Sequence, residues 1–145
     1  MSKGATFTFD LMRLLYQGQA IPNLADNAGS SPIPQIIVGL HYADPGEGGN
    51  QSTNEAVYSG YIRAAVPRTA GGWTVGAGGA TTNAGTVSWP ANSNAGSVAT
   101  GAYWSTSVST GASKILHSGP MTTPLAITVG ITPTSDPGDL DITED

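Results

Sequence analysis

Glycine and proline punctuate this chain so often that long regular elements have no room to form. There are 20 glycines and 10 prolines in 145 residues. Proline lacks the N–H that a helix interior or a central strand uses, and glycine loses the most backbone entropy when held in either. Short strands joined by frequent turns survive such punctuation, which points to an all-β sandwich or barrel. A chain of this length fits one domain and buries a hydrophobic core of useful size.

The exception is N-terminal. Thr8–Gln17 reads as a helix of about three turns, with Leu11, Leu14 and Leu15 at i, i+3 and i+4. Thr8 serves as N-cap, and Gly18 suits the left-handed position after the last turn. A helix this short is not stable alone in water, so its apolar stripe must dock on the body or on a neighbouring subunit. Ile21 to Pro34 follows as a Pro/Asn/Ser-rich loop or arm, so residues 1–34 form an N-terminal helix and arm and residues 35–145 the β-sandwich of a single domain.

Gln35–Tyr42 is a continuous apolar run, expected to be a central strand buried on both faces and ended by the Asp44-Pro45-Gly46 turn. Glu55–Val66 reads as a second strand, with Tyr58, Gly60, Ile62, Ala64 and Val66 on one face. Shorter strands are expected at Trp73–Val75, Thr86–Trp89, Ser97–Ser107, Lys114–Ser118 before a Gly119-Pro120 turn, Leu125–Val129 and Asp139–Thr143. About eight short antiparallel strands make a jelly-roll-like β-sandwich the simplest architecture.

Charge is scarce and uneven. Only 10% of residues are charged, against about 25% in an average domain. From residue 69 to residue 135 the sole formal charge is Lys114. A lone soluble domain scatters charge over its surface, so a neutral middle predicts that much of its surface faces other copies of the chain or is covered by Ser, Thr and Asn hydroxyls and amides, with assembly the favoured expectation. The net charge of −5 and a pI near 4.6 argue against a nucleic-acid partner. Cysteine is absent, which removes disulfides and thiolate chemistry together. No apolar run approaches the roughly 20 residues of a membrane span, and Met1–Thr6 lacks the apolar core of a signal peptide, so no leader and no membrane partner are expected.

The residues that carry chemistry do not assemble into a catalytic pattern. His41 and His117 are the only histidines, and no carboxylates surround them at metal-ligand spacing. No nucleophile elbow and no phosphate loop occurs, and Gly76-Ala77-Gly78-Gly79 reads as a flexible β loop. Asp44, Glu47 and Glu55 lie close in sequence, but two of them sit in a solvated Gly-rich turn, poor ground for the raised pKa of a glycosidase acid. The acidic end from Asp136 to Asp145 lacks the spacing of a calcium loop. Trp73, Trp89 and Trp104 invite a sugar-stacking role, against which stands packing in the core or at a subunit interface. Arg63 is the lone charge within its strand and suits a salt bridge or a contact with a neighbour. The expectation is therefore no enzyme, no cofactor and no metal. The candidate interface residues are Leu11, Leu15, Asp44, Glu47, Arg63, Trp73 and Trp104, and the loop Asp44–Asn54 is the leading contact surface.

An ordered set of short motifs runs through nearly the whole chain: Leu11-x-x-Leu14-Leu15-x-x-Gly18, His41-x-Ala43-Asp44-Pro45-Gly46-Glu47, Gly60-Tyr61-x-Arg63, Trp89-Pro90, Ile115-Leu116-x-x-Gly119-Pro120 and Gly138-Asp139-Leu140-x-Ile142-Thr143. This set resembles a family of small tailed-bacteriophage virion proteins, labelled tail-fibre-like or capsid decoration (cement) proteins. The resemblance implies a jelly-roll-like sandwich without enzymatic activity, assembled as trimers on the outer surface of the capsid. Its partners would be itself and the major capsid protein, and its role would be to clamp adjacent capsomers. The alternative is a tail- or head-fibre component that binds host surface glycans. The Pro22–Pro34 segment departs from that pattern, being longer and richer in proline.

Overall fold

A computed structural model describes residues 5–21 and 33–143. Its elements in chain order are the helix α1 (Ala5–Gln17) and the strands β1 (Gln35–His41), β2 (Ala64–Pro67), β3 (Trp73–Val75), β4 (Thr81–Asn83), β5 (Val87–Ser88), β6 (Ala99–Ser107), β7 (His117–Ile127) and β8 (Thr134–Ser135), with a 3₁₀ turn at Ala77–Gly79. The expected all-β class holds: eight antiparallel strands accompany one short N-terminal helix. They form a four-stranded sheet in the order β2-β1-β6-β7 and two pairs, β3-β4 and β5-β8. The arm from Pro22 to Pro32 lies outside the described residues.

The apolar run of β1 does become a central strand, and every residue after Gln35 is buried. The second strand is shorter than expected. Residues 64–67 pair with β1 in the register Val38↔Ala64, and an isolated bridge pairs His41 with Glu55. Both lie along one edge of β1, so the chain leaves the ladder after Ala56 and rejoins it at Ala64. This excursion turns at Ser59-Gly60, where Gly60 has φ 91° and Tyr61 N–H donates to Tyr58 O at 3.0 Å. Alternation over the whole of 55–66 is therefore a correction: Ile62 is exposed while Tyr58 is buried. A glycine inside a strand pattern was the available signal.

β7 corrects a second expectation. It runs straight through Gly119-Pro120 and merges the two short strands foreseen at 114–118 and 125–129. Prolines are tolerated because β7 is an edge strand, where an N–H can be absent from the ladder. Its register slips between Tyr103↔Pro120 and Gly101↔Leu125, so Met121–Pro124 bulge past a single residue of β6. Gly119 lies under the Trp104 indole, and a Cβ there would stand 2.8 Å from Cζ2. The strand foreseen at Asp139–Thr143 reduces to one bridge, Thr81↔Ile142, while β4 and β8 form in segments read as loop.

α1 begins before Thr8, which lies buried inside the helix and is no N-cap. The docked face is Thr8, Met12 and Tyr16, turned one position from the leucine stripe, and Leu11 and Leu15 are half-buried beside it. Two features select this face. Gly79 offers no side chain, and a Cβ there would come within 2.6 Å of Thr8 Cγ2. Tyr16 meets Trp73 edge-to-face at 4.7 Å and bonds through its hydroxyl to His117 Nδ1 at 2.6 Å and to Thr106 Oγ1 at 3.1 Å. The helix ends as expected at Gly18, with φ 67°. The Arg68 guanidinium caps the open carbonyls of Leu14 and Leu15, a role suited to a cation at a helix C-terminus.

Candidate contact surface

The loop between β1 and β2 is built from the ladder outward. Tyr42 N–H donates to Asn54 O at 2.8 Å and Ala56 N–H to Leu40 O at 2.9 Å, which carries the pairing one residue beyond β1. Asp44 Oδ1 accepts from Gly46 N–H at 2.9 Å, closing the turn that Asp-Pro-Gly predicts. Asn54 holds the left-handed conformation at φ 55°, and its side-chain amide donates to Asp44 O at 2.8 Å. Asp44 and Glu47 are exposed on this loop and line a groove with Ile115, Leu116 and His117.

His41 anchors the loop from within. Its side chain is fully buried, with Nδ1 2.8 Å from Thr53 O and Nε2 2.7 Å from Ser105 Oγ. A carbonyl only accepts, so Nδ1 carries the proton and Nε2 accepts from the serine hydroxyl. Burial pushes the His41 pKa down from its ordinary 6.5, opposed in part by the Thr53 carbonyl and the Glu55 charge. Ser105 and His41 stand at the separation of a nucleophile and its base, yet both are sealed inside the protein. Their geometry serves to join the loop to β6. Among the described residues no three of His, Asp and Glu stand together as metal ligands.

Arg63 and Glu55 stand at the two ends of the excursion and clasp it shut. Arg63 Nε donates to Glu55 Oε1 at 2.6 Å and its terminal nitrogen to Oε2 at 2.8 Å, a two-point pairing with both side chains 9% exposed. The same guanidinium donates to Thr110 O at 2.5 Å, Gly111 O at 2.7 Å and Ser52 Oγ at 3.3 Å. Arg63 thus gathers the excursion, the Asp44–Asn54 loop and the β6–β7 loop into one unit. Tyr61 reinforces it by taking the Leu40 N–H at 3.1 Å, a donor the missing strand would otherwise have satisfied, and burial raises its phenol pKa.

The candidate residues therefore divide. Asp44 and Glu47 are surface groups on one loop, and Arg63 supports that loop from behind. Leu11 and Leu15 lie with α1 rather than near the loop. Trp73 and Trp104 are corrected to core residues: with Trp89 they are the largest fully buried side chains, and none turns a face outward for a sugar or a neighbour. Trp89 Nε1 donates to Val38 O at 3.0 Å, inside the sheet. A surface that residue-by-residue reading missed lies beside the excursion. There Tyr42, Val57 and Val98 rim a groove of about 610 Å³ floored by Ala99, Thr100, Ala126 and Ile127. Strand alternation gives no hint of it, because the excursion and the ends of β6 and β7 meet only in the folded chain.

A small antiparallel β scaffold, with the Arg63–Glu55 and His41–Ser105 pairs bracing its loops from within, is the class of protein that this arrangement defines. Over residues 15–143 the chain matches the family described as Podophage GP4 fiber I protein gp80, and it belongs to that family. It is accordingly a structural protein of a bacteriophage virion, as the resemblance implied at that level. No curated protein matches the chain.

Proposed function

We propose that this chain is a non-catalytic building block that works as a symmetric homo-oligomer in a fibre-like appendage of the phage particle. The family match over residues 15–143 carries the reading, since its description names a fibre protein. Support comes from the fate of the reactive groups: the Ser105–His41 pair is buried and the Glu55 carboxylate is bound to Arg63. The neutral stretch from residue 69 to residue 135 favours contact between copies over isolation in solvent.

A second reading places the same oligomer, as a trimer, on the outer surface of the capsid, where it clamps capsomers by contacting the major capsid protein. It is favoured by the folding of the described residues from β1 to β8 around one core with α1, with no shaft-like repeat among them. Immunogold labelling of intact particles separates the two. Label confined to appendages supports the fibre, label spread over the head lattice supports the clamp, and particles without label overturn both.

A further inference from the structure

The groove beside the excursion gathers several exposed apolar residues in one place, whereas Phe7, Ile62 and Val108 are exposed outside its lining. Tyr42, Val57 and Val98 on its rim are 58%, 65% and 67% exposed. Its floor is the end of the β6–β7 ladder, where Ala99 pairs with Ile127 and Thr100 with Ala126. Just beyond the floor, Val129 and Ile131 are also exposed. Exposed apolar residues scattered singly need no explanation, but a cluster on one groove marks a contact site.

Charge selects the occupant. The sole ionisable acid lining the groove is Glu55, and Arg63 neutralises it through two hydrogen bonds. The acids exposed on the described surface lie outside this lining: Asp44 and Glu47 face the groove with Ile115 and Leu116, and Asp136 and Asp141 lie near the C-terminal end. A cationic partner finds nothing to pair with here, and an anionic partner finds no free base. Two copies each carrying a net −5 repel one another wherever their acids face, and least where the surface is neutral and apolar.

We propose that the Tyr42–Val57–Val98 groove is the surface on which a second copy of this chain docks. The inference rests on the homo-oligomer reading above and names the face that reading leaves open. Docking removes the rim side chains from water, and the clasped Glu55–Arg63 pair holds the rim in place before contact, so little ordering is required on association.

Analytical ultracentrifugation of the full chain tests it, with Val57→Lys and Val98→Asp as separate variants and Val108→Asp as a control at the far end of β6. All three positions are exposed, so each variant should melt close to the parent. The expected result is a concentration-dependent oligomer that either groove variant weakens by at least about tenfold, while the control leaves it unchanged. An oligomer indifferent to both groove variants overturns this face and leaves the homo-oligomer reading standing. A parent chain that stays monomeric at every concentration overturns both. Glycan-array binding lost in Tyr42→Ala, with association unaffected, would assign the groove to a sugar and overturn the proposal.

Discussion

Two side chains decide how firmly the β1–β2 connection is held. Arg63 reaches Glu55, Ser52, Thr110 and Gly111, so its removal strands a largely buried carboxylate and uncaps two carbonyls. Arg63→Ala is expected to cost about 3 kcal/mol in chemical denaturation. Arg63→Lys should recover only part, because an ammonium cannot span both carboxylate oxygens. His41 acts through pH. Its folded pKa is depressed below 6.5 by burial, so on acidification the unfolded chain binds the proton first. Its contribution is fully present above about 6.5 and is lost as pH falls towards the folded value. Denaturation midpoints measured from about pH 8 to pH 5 should fall more steeply for the parent than for His41→Gln, the slope difference appearing below about 6.5.

At the scale of elements, α1 is held by a close approach and by its C-terminal cap rather than by its own propensity. Gly79 has φ 85° and sits against Thr8 and Met12. Gly79→Ala therefore combines backbone strain with a steric clash, and should destabilise by about 1–3 kcal/mol. Hydrogen exchange should show α1 losing protection first. Arg68→Met removes the donor to the Leu14 and Leu15 carbonyls while keeping much of the apolar stem. Faster exchange confined to the last turn of α1 is the expected signature, and unchanged exchange there would refute the capping role. The leucines at 11, 14 and 15 were a fair indication that a helix exists but misplaced its buried face by one position. Periodicity reports that an apolar stripe is present; which residue seats deepest depends on a glycine more than sixty positions away.

Across the whole molecule, the helix and sheets share one core in which Met12, Tyr16, Trp73, Trp89 and Trp104 are all buried. One cooperative transition is expected, with far-ultraviolet helical signal and tryptophan emission changing together on heating. Two separated transitions would show that α1 folds independently. Trp73→Ala or Trp104→Ala should cost about 3–5 kcal/mol as core truncations. Either loss would appear in melting temperature before any ligand-binding assay, which separates a packing role from sugar recognition.

What the sequence by itself determined was the class of fold and the kind of chemistry available. Frequent Gly and Pro allow only short elements, the run from Ile36 to Leu40 demands burial on both faces, and the lack of cysteine removes disulfide and thiolate chemistry. These are local or compositional properties and need no knowledge of distant contacts. The tertiary structure alone decided the rest. Whether 57–63 continues a strand depends on Tyr61 capturing the Leu40 N–H and on Arg63 reaching Glu55. Whether the tryptophans face out or in depends on the closeness of Gly119 and Tyr16 to two of them. The groove of Tyr42, Val57 and Val98 exists only because three segments remote in sequence end at one place. Alternation and propensity act between near neighbours along the chain, and such a surface is made between segments that are not.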